Sequence, residues 1–149
     1  SRAMVSPCGK IRIPINEPTD RNSQVAEYLQ AYNGEGIQHI ALATDDIYTA
    51  VERLRANGVA FIDVPDTYYD TLDTRLPGHG EDVERLARLG ILVDGTPGDG
   101  HLLQIFTRNM IGPIFFEIIQ RRRHEGFGDG NFQALFEAME RDQIERGVL

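Results

Sequence analysis

A chain of 149 residues with 41% hydrophobic side chains has enough apolar material for one globular domain, or for part of a larger one. Asp and Glu outnumber Lys and Arg by 23 to 15, and the net charge of −8 argues against nucleic acid or an anionic membrane surface as the main partner. The single cysteine, Cys8, excludes a disulfide framework and fits a reducing compartment, and no apolar run approaches membrane-spanning length, so a soluble cytoplasmic protein is expected.

The chain opens Ser1-Arg2-Ala3-Met4-Val5, without an initiator Met or leader character, and is expected to be a fragment cut into mid-fold. Residues 10–16 alternate apolar and polar side chains, a strand pattern with Pro14 near its end, and 2–16 together read as a hairpin-like remnant. After a polar loop, Ser23 can cap a helix over 24–32 that stops at Asn33-Gly34. A strand follows over 37–43. Thr44-Asp45-Asp46 then caps a helix over 47–56, whose Ile47, Ala50, Val51 and Leu54 share one face and which ends at Asn57-Gly58. A strand over 59–64 stops at Pro65. Short helices over 67–76 and 81–88 flank the turn Pro77-Gly78-His79-Gly80. Strands are expected over 91–94, 101–107 and 113–120, the first two joined by a glycine-rich stretch. A charged turn over 121–125 and a long amphipathic helix over 131–146 close the chain. With the short helices set aside, 36–120 reads as a βαβββ unit carrying one strand more than that order needs, an α+β module with a curved, antiparallel-rich sheet.

Two of these strands each carry one group that is hard to bury. Gly36-Ile37-Gln38-His39-Ile40-Ala41-Leu42 holds a histidine and Phe115-Phe116-Glu117-Ile118-Ile119-Gln120-Arg121 a glutamate, both in apolar runs that read as buried strands. A buried carboxylate without a partner is costly, and a metal is a natural partner. Imidazole nitrogen plus carboxylate oxygen, His39 with Glu117, is two thirds of a mononuclear non-haem iron site. Strand parity sorts the neighbours. Gln104 and Phe106 share one face of their strand with His101 on the other, and Phe115 shares a face with Glu117, which sets an aromatic wall beside the carboxylate. Gln38 and His39 point to opposite faces of a regular strand, so both can serve one site only at a bulge or a strand end. His79 and His124 sit in turns and are expected to be solvated, His101 to be structural or solvated, and the run Arg121-Arg122-Arg123 to be a solvated turn or an intersubunit contact. Cys8 has no His or Asp beside it in sequence to suggest nucleophilic catalysis.

Six stretches in order carry a resemblance: Arg12-Ile13-Pro14-Ile15-Asn16-Glu17-Pro18, Asn33-Gly34-Glu35-Gly36-Ile37-Gln38-His39-Ile40-Ala41, Asp66-Thr67-Tyr68-Tyr69, Leu102-Leu103-Gln104-Ile105-Phe106-Thr107, Phe116-Glu117-Ile118-Ile119-Gln120-Arg121 and Gly126-Phe127-Gly128-Asp129-Gly130-Asn131-Phe132. Together they resemble the C-terminal part of the 4-hydroxyphenylpyruvate dioxygenase family, within the vicinal-oxygen-chelate (glyoxalase/bleomycin-resistance-like) superfamily. The resemblance implies a catalytic domain of two βαβββ units around Fe(II). Residues 1–34 would be the remnant of the first unit plus a linker helix, 35–123 the second unit, and 124–149 a C-terminal gating helix. It implies His39 and Glu117 as metal ligands, with a further His on a strand upstream of Ser1. It implies Gln104, Gln38 and Asn16 as catalytic residues, and Ser1, Pro14, Gln24, Phe106, Phe115, Phe127, Asn131 and Phe132 around the substrate, with Phe127 and Phe132 closing the gate. The implied substrates are an aromatic α-keto acid, 4-hydroxyphenylpyruvate, and O2. The implied products are homogentisate and CO2, in tyrosine catabolism, by a homo-oligomer. Two other readings stay open: 4-hydroxymandelate synthase, with the same fold, metal and substrate, and a non-catalytic small-molecule-binding module. The isolated chain, lacking one ligand, is expected to be inactive.

Overall fold

The computed structural model describes residues 2–18, 24–131 and 134, Gln24 through its backbone alone. Two strands open it, β1 (Arg2–Val5) and β2 (Arg12–Ile15), paired antiparallel with Ala3 opposite Pro14. A two-stranded ribbon is all edge, so a proline that cannot donate to a ladder is tolerated there. Helix α1 (Gln24–Tyr32) has the expected ends and stops at Asn33, whose φ of 63° breaks the helical path. Tyr28 and Tyr32 stack on its inner side, and the Tyr28 hydroxyl donates to the Ile37 carbonyl at 2.8 Å.

The second body is a four-stranded sheet in the order β3-β6-β5-β4, with β3 (His39–Ala43) parallel to β6 (Phe115–Arg122) and the pairs β6–β5 (Gly100–Phe106) and β5–β4 (Leu92–Thr96) antiparallel. Parallel neighbours need a long crossover, and the chain provides one. It runs through α2 (Ile47–Ala56), a 3-10 helix (Asp66–Thr71), α3 (Leu72–Arg75) and α4 (Val83–Leu89). Asp46 accepts from the Thr49 N–H at 3.1 Å and starts α2, while Asp82 starts α4 in the same way and Gly90, at φ 74°, ends it in the left-handed conformation. These helices cover one face of the sheet. Ile47, Val51, Tyr68, Leu72 and Leu86 pack with Val93, Leu103, Ile105 and Ile118 in a continuous core. Each such side chain contributes about 1.5–3 kcal/mol by leaving water.

Several expectations need correction. The strand expected over 59–64 is a single bridge, Phe61 to Thr107, flanked by the Ile62 N–H to Phe106 and the Arg108 N–H to Ala60 bonds. The Val59 N–H is bound to the Leu54 carbonyl at the end of α2, and Pro65 turns the chain into the 3-10 helix, so only three residues are free to pair. Removing that strand leaves β3, α2, β4, β5, β6, which is the βαβββ order itself. Strand β3 is not buried: Ile40 and Leu42 are 42% and 48% exposed, because β3 is an edge strand bonded only to β6 while α2 lies over β6. The charged turn expected over 121–125 begins later, since Arg121 and Arg122 pair with Leu102 and His101 in the ladder and the chain turns at Arg123, φ 60°. His79 is not solvated. Its Nε2 lies 2.9 Å from an Asp73 oxygen, its Nδ1 accepts the Glu81 N–H, and its ring is enclosed. The helix expected over 131–146 lies outside the described residues apart from its first turn. No helix among the described residues is long and apolar enough to cross a membrane.

Candidate metal centre

Register puts the histidine and the carboxylate together. His39 is the first residue of β3 and stands opposite Phe115, and two residues on, Ala41 stands opposite Glu117. Both side chains therefore leave the same face of the sheet, the face turned away from the helices. His39 Nε2 lies 3.6 Å from Glu117 Oε2, too far for a hydrogen bond. Glu117 is buried, and its Oε1 has no partner among the described residues. Burial pushes the Glu117 carboxyl up to about 7, against the pull of the Arg121 guanidinium four residues along the same strand face. Burial also pushes the His39 imidazole below its ordinary value, which keeps it neutral. His39 Nδ1 lies 3.3 Å from Gln38 Oε1. An amide oxygen only accepts, so Nδ1 carries the proton and Nε2 presents its lone pair toward Glu117. Gln38 reaches this position because it precedes the strand, so the alternation rule does not bind it.

Around the pair the rings close a wall. Phe115 stacks on His39 with centroids 5.0 Å apart, and Phe106, directly opposite Glu117 in the ladder, meets both rings edge-on at 6.5 and 6.0 Å. A cavity of about 660 Å³ opens on His39 and Glu117 and runs between the sheet and the β1–β2 hairpin. Pro14, Asn16, Gln38 and Phe127 line it, all anticipated from sequence, and so do Arg12 and Arg121, which were not. The signal for Arg121 was available: it is two strand periods beyond Glu117, on its face. Gln104 shares that face, is fully buried, and neither its amide oxygen nor its amide nitrogen has a partner among the described residues. Asn131 is buried beside β4 with its Oδ1 2.6 Å from the Tyr68 hydroxyl. Ser1, Phe132 and the side chain of Gln24 lie outside the described residues. His101 points to the opposite face, where it binds Glu81.

A neutral imidazole nitrogen and a buried carboxylate with a free oxygen are a donor pair suited to a borderline divalent metal. They are two donors, and among the described residues no three His, Cys, Asp or Glu side chains come together as a complete metal site.

The family model of the Glyoxalase/Bleomycin resistance protein/Dioxygenase superfamily matches residues 1–75. The chain belongs to this superfamily, and its fold is the α+β vicinal-oxygen-chelate module. It is 65% identical over its whole length to 4-hydroxyphenylpyruvate dioxygenase of Pseudomonas aeruginosa, of which it spans 42%. Among solved structures, a xylose isomerase-like TIM barrel/4-hydroxyphenylpyruvate dioxygenase fusion protein superposes over 95% of the chain and 23% of its own, with TM-score 0.75 and 36% identity. A mutant 4-hydroxymandelate synthase from Streptomyces coelicolor does so over 95% of the chain and 41% of its own, with TM-score 0.72 and 35% identity. The chain thus spans well under half the length of the curated relatives it matches.

Proposed function

We propose that this chain is part of the catalytic domain of an Fe(II)-dependent dioxygenase that converts 4-hydroxyphenylpyruvate and O2 to homogentisate and CO2, in cytoplasmic tyrosine catabolism, as a homo-oligomer. The observation that carries the reading is the Glu117 carboxylate, buried with one oxygen unpartnered among the described residues and facing a neutral His39. The 65% identity to a 4-hydroxyphenylpyruvate dioxygenase supports the substrate. In this reading residues 1–34 complete a preceding unit, 35–123 form the ligand-bearing unit and 124–149 the gate.

His39 and Glu117 would hold the iron, with a further His supplied from outside this chain. The bound iron supplies the activation of O2 and a seat for the α-keto acid. The protein's own residues do the rest. Gln38 accepts the His39 Nδ1 proton and so fixes the tautomer whose Nε2 would face a metal. Phe106 and Phe115, set nearly perpendicular to each other, offer apolar ring surface to the substrate and keep water from the reacting face. Asn16 offers an amide from the cavity lining, and Gln104, buried on the Glu117 face with neither amide atom partnered among the described residues, is the second amide proposed for the substrate's polar groups. Pro14 and Phe127 narrow the cavity, with Ser1, Gln24, Asn131 and Phe132 completing its surroundings.

The test is product analysis with the full-length protein, 4-hydroxyphenylpyruvate, Fe(II) and O2. Homogentisate is expected. Mandelate without homogentisate would establish the 4-hydroxymandelate synthase reading, which the structural likeness to that enzyme keeps in view. Substrate binding without O2 uptake would establish a non-catalytic binding module. The 149-residue chain alone is expected to hold iron weakly and to turn over little or nothing.

A further inference from the structure

The Tyr68 hydroxyl stands at a junction that the chemistry above leaves unused. Tyr68 belongs to the 3-10 helix and is fully buried on the helix-covered side of the sheet. Its hydroxyl reaches the outer edge of β4, where it accepts the Val93 N–H at 2.9 Å. Its one proton has two acceptors within reach, Asn131 Oδ1 at 2.6 Å and the Val93 carbonyl at 3.1 Å, and the shorter contact is to Asn131. The hydroxyl therefore closes an open peptide edge and also ties down the 126–131 segment, which crosses to the other face of the sheet.

That segment bears on the pocket. The Gly130 N–H donates to Asp94 Oδ2 at 3.0 Å, and the Asn131 N–H donates to the Gly128 carbonyl at 3.0 Å, closing a turn. Asp94 and Gln104 leave the same face of neighbouring strands, and the turn lies across them. Gly128, at φ 79°, lies so close to Gln104 that a Cβ there would stand 2.0 Å from its amide oxygen. At the other end of the segment, the Arg121 guanidinium binds the carbonyls of His124 and Gly126. Phe127 sits between these anchors and lines the large cavity. With the Arg121 end fixed, slack at the Asn131 end must appear at Gly128 and Phe127.

We propose that Tyr68 is a positioning residue for the substrate pocket: its hydroxyl latches Asn131 to the edge of β4 and so holds the Gly128 backbone against Gln104 and Phe127 in the cavity wall. The consequence for substrate rests on the dioxygenase reading, whereas the latch itself does not. The test compares Tyr68→Phe, Asn131→Ala and the double variant in the full-length protein, with Tyr69→Phe as control, since the Tyr69 hydroxyl is buried without a hydrogen-bond partner among the described residues. Hydrogen exchange of amides 126–131 is expected to speed up about tenfold in Tyr68→Phe and in Asn131→Ala, the loss of one buried hydrogen bond. The double variant should be no faster than either single one, and Tyr69→Phe should match the parent. KM for 4-hydroxyphenylpyruvate should rise about tenfold in the two latch variants, with kcat changing less. Unchanged exchange over 126–131, or acceleration spread evenly through the core, would overturn the latch. Local acceleration with KM unmoved would overturn the positioning role. If Tyr68→Phe does not fold, Asn131→Ala decides alone by the same criteria. Local acceleration in a protein whose parent form does not turn over 4-hydroxyphenylpyruvate would leave the latch standing and sink the dioxygenase reading.

Discussion

Glu81 and Glu117 are two buried carboxylates on opposite faces of one sheet, and their surroundings are opposites. Glu81 accepts from the Tyr48 hydroxyl at 2.8 Å, lies 2.7 Å from His101 Nε2 and 3.0 Å from Arg122 Nε, and those last two residues stand opposite each other in the β5–β6 ladder. Both of its oxygens are satisfied. Glu117 has His39 at 3.6 Å and one oxygen with no partner among the described residues. The same chemical group is a structural tie on one face and an open donor on the other. Burial alone does not mark a functional residue; Glu117 differs from Glu81 in facing a histidine with an oxygen that no described residue occupies.

Experiments can break or sharpen this contrast. The largest effect is expected from Glu117→Gln in the full-length protein. Iron content and O2 uptake with substrate should be abolished while the circular dichroism spectrum stays native. Retained stoichiometric iron would remove Glu117 from the site. Glu81→Ala should do the reverse, leaving iron binding intact but costing about 3 kcal/mol in urea unfolding, because His101 and Arg122 lose their common partner. The low end of the usual range applies, since the Arg122 side chain is 45% exposed and water can replace part of the loss.

The third contrast is in pH. In metal-free protein Glu117 ionises at about 7 when folded, against an ordinary value of 4.5. Between those values the folded state binds the extra proton, so stability is highest below the lower value and falls as pH rises toward 7. Glu117→Gln should flatten that decline in chelator-treated protein, as read from thermal midpoints across the range. A decline identical in both proteins would mean that the burial seen here does not govern this carboxyl. The smallest effect is expected from Tyr48→Phe, which removes one of three Glu81 contacts and should cost about 1 kcal/mol with activity unchanged.

Much of the module was legible in the sequence because it is written in local rules. Periodicity placed α1 and α2 at their observed ends, with Asp46 capping α2 while Ser23, the expected cap of α1, lies outside the described residues, and turn chemistry separated β4 from β5. Parity paired Gln104 with Phe106 on one strand and Phe115 with Glu117 on another, and the ladder register brings the two pairs to one face. What local rules missed has a common cause. The segment over 59–64 has a strand's composition, yet its hydrogen-bonding partners are taken by α2 and by the turn at Pro65. His79 sits in a turn sequence, yet Asp73 and Glu81 enclose it.

By itself the sequence singled out His39 and Glu117 in apolar strands, because an ionisable group in an apolar run is conspicuous whatever the fold around it. It also determined the α+β alternation, because periods of 2 and 3.6 need no tertiary context. Only the tertiary structure decided that β3 runs parallel to β6 at the sheet edge, that Glu81 is satisfied while Glu117 keeps one oxygen without a partner among the described residues, and that Tyr68 meets Asn131. Those contacts join residues from 20 to 76 positions apart. Side chains so far apart share no local pattern, and only the closing of the sheet brings them within hydrogen-bond reach.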